Sequence, residues 1–200
     1  MKKNWIGLTP PALLVLLILL IAASMAVAAD QPPIAQGGGF VDLPPSGDFQ
    51  VHHHTFGFVL LHEGNGLHLQ LQYHDHHEGA ASVPIHDEPS AFSLHMSSVR
   101  RLRRDGNAVY FDGPAIRHTL GQGGNLGRVR EHVCVWVEDG EGFTPDRFHL
   151  EIAPRDSVPT YTSGGQVLGC SRQEPPPTVV LPSDDGYVVG GGNITVFPAQ

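Results

Sequence analysis

Histidine is the side chain through which this sequence could most readily do chemistry. The 200-residue chain carries thirteen. Two short runs concentrate them, His52-His53-His54 and His74-Asp75-His76-His77-Glu78. Neutral imidazoles and carboxylates hold zinc and related divalent cations at roughly 2.0–2.2 Å. Residues two apart on a strand point the same way, so His52 pairs with His54 and His74 with His76. If the two strands were neighbours, these four histidines and Asp75 would make a divalent metal site. Cupin-like metal-dependent enzymes use His-x-His strands in this way. The competing reading is a row of solvated residues on a polar strand face, and convergence in space decides between the two.

Three further groups could carry chemistry. Glu138, Asp139, Glu141 and Asp146 crowd one turn region. Extracellular modules bind calcium weakly through such oxygen-rich loops, although the spacing is not that of an EF-hand. Asp146 could instead anchor the turn. Cys134 and Cys170 are the only cysteines, and an isolated pair in an oxidising compartment is most simply a disulfide. The alternative is two free thiols, with Cys134 buried in a strand. Arg100-Arg101-Leu102-Arg103-Arg104 is the one basic cluster, and it reads as a solvated face paired with surface carboxylates.

Catalytic machinery is missing from the pattern. No Gly-x-Ser-x-Gly elbow occurs, nor a phosphate-binding glycine loop opening a helix. Cys134 lies in an apolar run, which raises a thiol's pKa rather than activating it. A binding or structural role is therefore expected ahead of an enzymatic one. The metal-dependent enzyme is the alternative.

The elements that must position these residues read as strands. Leu67-His68-Leu69-Gln70-Leu71-Gln72-Tyr73-His74 alternates without error, the signature of a half-buried strand. Thr55 to Leu61 is a second β-rich run, and Glu63-Gly64-Asn65-Gly66 between them supplies hairpin chemistry. Further strands are expected over Phe92 to Leu102, Ala108 to Asp112, Val129 to Val137, Arg147 to Ile152 and Ile194 to Phe197. With 24 glycines and 17 prolines, and no helix start or stop signals after the leader, a helical domain is excluded. The expected fold is all-β, an antiparallel β-sandwich or partly open barrel, preceded by a signal helix.

The first thirty residues suggest an address. Lys2 and Lys3 precede an uncharged, leucine-rich stretch from Ala12 to Ala29. Ala26 and Ala28, or Val27 and Ala29, then fill the small-residue positions of a cleavage site. Residues 1–29 therefore read as a secretory signal peptide and 30–39 as a linker. Residues 40–200 read as one domain with a long loop at 171–189. An uncleaved anchor is the competing reading, because the apolar run is near the lower length limit for a span. Removing Lys2 and Lys3 takes the formal charge from −8 to −10. Every remaining cation is arginine, and such a chain is a poor partner for nucleic acid or anionic membranes. An extracellular protein or a glycan is the expected partner class. Zinc or calcium is the only cofactor class suggested. Thirteen histidines also predict reduced solubility, or self-association, near pH 5, where their protonation cancels much of the negative charge.

Five segments, in order, resemble one family. They are Thr55-Phe56-Gly57-Phe58, Leu71-Gln72-Tyr73-His74-Asp75-His76, Val133 to Glu141, Asp146-Arg147-Phe148 and Gly191-Gly192-Asn193-Ile194. Together they are similar to the post-COAP domain, a secreted module of bacteria and archaea. The resemblance spans roughly residues 37–197 and implies an extracellular β-rich domain, with no activity to carry over. The turn over 139–146 is longer than the family's, and the stretch between Gly169 and Gly190 looks inserted.

Overall fold

Strict alternation in the sequence becomes alternation of burial in the structure. The computed structural model describes residues 33–43, 52–63, 66–76, 92–121, 124–153, 161–163, 167–175, 179–182 and 187–198. The expected signal segment and His77 lie outside them. The ten strands are β1 (Pro33–Leu43), β2 (His52–Glu63), β3 (Gly66–His76), β4 (Phe92–Met96), β5 (Arg101–Asp105), β6 (Ala108–Gly121), β7 (Gly124–Glu138), β8 (Arg147–Ala153), β9 (Tyr161–Thr162) and β10 (Gly191–Val196). Leu69, Leu71 and Tyr73 of β3 are buried while Gln70 and Gln72 face water. β2 and β3 form the expected hairpin, with Glu63 opposite Gly66.

All pairings are antiparallel and belong to one sheet, in the order β10-β1-β2-β3-β4-β6-β7-β8-β9. β5 pairs with the first part of β6, and β4 with a later part of the same edge. The sheet curls into a half-barrel. The stacked rings of Phe56 (β2) and Phe148 (β8) show the curl, with centroids 3.9 Å apart although four strands separate them in the sheet. The architecture is therefore all-β and antiparallel, built from a single curled sheet. Among the described residues there is no second sheet facing it, so the architecture is the partly open, curled sheet rather than the sandwich.

Residues 33–39 depart from the linker expectation. They are most of β1, which lies between β10 and β2. Glycine is needed there for closeness. A Cβ on Gly37 would lie 2.7 Å from the Asn193 carbonyl oxygen, and one on Gly39 would lie 2.1 Å from that of Gly191. A glycine-rich run that reads as flexible is here a strand pressed against its neighbour.

The core has two parts. The larger fills the inner face and draws on β1, β2, β3, β4, β6, β7, β8 and β10. The smaller lies on the outer face of β6, β7 and β8, where Tyr110, Cys134 and Trp136 are buried under Cys170, Val179, Leu181 and Tyr187. The described part of the predicted 171–189 loop is thus the cover of a second core. β7 is buried on both faces from His132 to Glu138.

Candidate functional site

Alternation and register assemble one polar cluster on the inner face. His54 and Asp75 are directly opposite each other on β2 and β3, at 2% and 4% exposure. Tyr73, two residues from Asp75, shares its face. The fourth member arrives from the far edge of the sheet. Tyr161, half-buried on two-residue β9, packs its ring edge-on against Tyr73, His54 and Phe92. The Tyr73 and Tyr161 hydroxyls are 2.5 Å apart, and the Tyr161 hydroxyl lies 3.2 Å from His54 Nδ1. The same nitrogen is 3.5 Å from Asp75 Oδ1. Burial, and then the charge of Asp75, hold the Tyr73 phenol well above its ordinary range. Burial, followed by Tyr73 and Asp75, does the same for Tyr161. Both phenols are therefore protonated donors at neutral pH, in a setting that penalises unbalanced charge.

The predicted histidine set is divided by the register. Asp75 sits opposite His54, whereas His74 sits opposite Thr55 and His76 opposite His53. Since neighbouring residues on a strand face opposite sides, His54 and Asp75 are on the inner face and His74 is on the outer one. The expected convergence of His52, His54, His74 and His76 is corrected accordingly. One-residue parity placed the histidines of the two strands out of phase. His52 and His76 are placed here by backbone register alone. His74 instead nears His95, whose ring lies 5.9 Å from that of His118. His53 Nδ1 contacts Asp42 at 2.7 Å.

The outer core holds a second set of buried polar groups. A disulfide joins Cys134 of β7 to Cys170 of the covering segment. Glu151, fully buried on β8, accepts from the backbone N–H of Leu168 and, at 2.7 Å, from that of Cys170. It also meets His149 Nε2 at 3.0 Å. One carboxylate thus ties the cover to the sheet beside the disulfide. Nearby, Asp112 Oδ2 accepts from Arg101 Nε at 2.6 Å and from the Tyr110 hydroxyl at 2.5 Å. Arg101 also donates to the Ser171 carbonyl. This member of the basic cluster is therefore half-buried and paired, while Arg100 and Arg103 are exposed. Burial lowers the His132 pKa, opposed by Asp112 and reinforced by Arg172, Arg101 and Arg100. His132, Cys134 and Cys170 lie close together, but both sulfurs are committed to the disulfide and offer no thiolate to a metal.

No protein-family model, curated protein or solved structure matches this chain.

The acidic turn has acquired backbone partners. Asp146 Oδ1 accepts from Gly140 N at 2.8 Å and Oδ2 from Ile194 N at 2.6 Å. Asp139 Oδ2 accepts from Val196 N at 2.9 Å. These carboxylates occupy N–H groups along the outer edge of β10, protecting a strand edge that would otherwise be open for pairing. Glu138 pairs with Arg147 at 3.4 Å, and Glu141 is exposed. Of the residues singled out from sequence, the structure brings together His54 with Asp75, Asp139 with Asp146, and Cys134 with Cys170. Tyr73 and Tyr161 complete the inner cluster and were missed. Tyr73 was legible only as a core residue of an alternating strand, and two residues of β9 are too few to show a period.

Proposed function

We propose that this chain is an exported β-module that works outside the cytoplasm as a binding or structural part of the cell envelope. The observation that carries this reading is the buried disulfide fastening the outer cover to β7, which fits an oxidising compartment. The leader over residues 1–29 supports the same address, with cleavage before Ala29 or Asp30. Among the described residues no helix is long and apolar enough to cross a membrane. Kinship with the post-COAP module rests on its five ordered motifs. Two of them have structural work here. The Tyr73–His76 motif supplies Tyr73 and Asp75 to the inner cluster, and the final glycine-rich motif forms β10 against β1. The partner class that suits this module is an extracellular protein or glycan.

Expression with the leader in an export-competent bacterium tests the reading. The exported fraction is expected to yield a chain starting at Ala29 or Asp30 by intact mass, with no thiol titratable before reduction. Accumulation in the cytosol with residues 1–29 retained and both cysteines free would overturn it.

A further inference from the structure

The inner cluster contains two phenols, one carboxylate and one imidazole, with their polar atoms facing each other. We propose that Tyr73, Tyr161, His54 and Asp75 form a binding site for a hard trivalent cation, namely ferric iron. The inference concerns what the module binds and does not depend on where the protein resides.

Three observations support it. The first is spacing. Octahedral ions hold ligands at about 2.0–2.1 Å, which puts neighbouring ligand atoms roughly 2.9 Å apart. Here the consecutive separations are 2.5 Å between the two hydroxyls, 3.2 Å from Tyr161 to His54 Nδ1, and 3.5 Å from that nitrogen to Asp75. These bracket the octahedral edge along the chain of contacts Tyr73–Tyr161–His54–Asp75. The second is charge. Burial keeps both phenols protonated while no ion is bound; an entering cation displaces those protons, and the two phenolates and Asp75 then supply three negative charges beside the imidazole. A trivalent ion makes the buried set neutral overall, whereas a divalent ion leaves one charge uncompensated in a poorly solvated place. Binding displaces one proton from each phenol to the solvent, and the iron keeps its oxidation state. The third is enclosure. Phe92 and Phe148 flank the tyrosines, and lowered local polarity strengthens each ion–ligand attraction. Phenolate oxygen and carboxylate are hard donors, and imidazole also suits iron. Tyr161 stands on two-residue β9 and is only half-buried, whereas Tyr73, His54 and Asp75 are buried.

The test uses the mature chain, purified without a His-tag or nickel resin and titrated with ferric nitrilotriacetate at neutral pH. A visible phenolate-to-iron charge-transfer band is expected, saturating at one equivalent, with tyrosinate ring modes enhanced in resonance Raman. Iron held by surface histidines gives neither signal. Tyr161→Phe and Tyr73→Phe should each lower the band at one equivalent by at least twofold. Tyr110→Phe, in the outer core, should leave it unchanged. Absence of the band in the wild-type protein would overturn the proposal, as would a band that survives undiminished in both inner-face variants. If either variant fails to fold by circular dichroism, the wild-type Raman signature decides alone. Because the readout is made in vitro, failure here leaves the export reading untouched.

Discussion

The two faces of the β6–β8 sector are both buried, but by different means. The inner face is covered by the sheet itself, curled until Phe56 of β2 stacks on Phe148 of β8. The outer face is covered by a segment with little regular structure, held by the Cys134–Cys170 bond and by the Glu151 carboxylate. Where strand pairing supplies the cover, apolar alternation is enough. Where an irregular segment supplies it, its backbone N–H groups must find partners, and a buried acid supplies two of them.

This contrast can be broken most severely at Glu151. Glu151→Ala leaves the N–H groups of Leu168 and Cys170, and His149, without their shared acceptor. A loss of about 3–5 kcal/mol is expected, the range for breaking a buried charged network. Urea denaturation measures it, and a loss below about 1 kcal/mol would mean that the acid is not the tie. Next comes the covalent tether. The double variant Cys134→Ser, Cys170→Ser should lose about 3–4 kcal/mol, since the bond closes a loop across a separation of 36 residues. Trp136, with Trp5 one of the chain's two tryptophans, lies in the outer core. Its emission should therefore shift to the red on reduction while far-ultraviolet dichroism keeps its strand signal. Loss of both together would show that the two cores are one cooperative unit.

Smaller effects sharpen the picture. Asp146→Ala uncovers the N–H groups of Gly140 and Ile194, with an expected cost of about 1–3 kcal/mol by denaturation. The smallest effect is a pH slope. Burial lowers the His132 pKa below its unfolded value, so the unfolded chain takes up the proton first as pH falls. The stability this neutral histidine contributes is present above about pH 6.5 and declines as pH drops through its folded pKa. His132→Asn should flatten that part of the stability profile, and a slope unchanged in this variant would remove His132 as its source.

The sequence makes plain whatever depends on a period of two. Leu69, Leu71 and Tyr73 point inward as their alternation predicts, and the β2–β3 hairpin forms on its turn residues. The same periodicity says nothing about whether the other face is also covered. Cys134, Trp136, His149 and Glu151 occupy the polar or alternate positions of their strands, yet all are buried, because residues far along the chain fold over them. The candidate site was half legible. His54 and Asp75 stood out by type, but their pairing to each other rather than to His74 depends on a one-residue register that local sequence leaves open. Tyr161 reaches His54 from 107 residues away. Glycines 37 to 39 misled for a related reason, since close approach and flexibility call for the same residue.

The pairing of β1 with β10 has a kinetic consequence. Ala35 lies opposite Val196, so β1, the first of the described strands, waits for β10, the last of them, before its outer edge is satisfied. Closing so long a loop is entropically slow, and nucleation by nearby residues contributes little to it. Completion of the β1 edge therefore depends on a strand about 150 residues further along the chain, the kind of non-local pairing that forms late in folding.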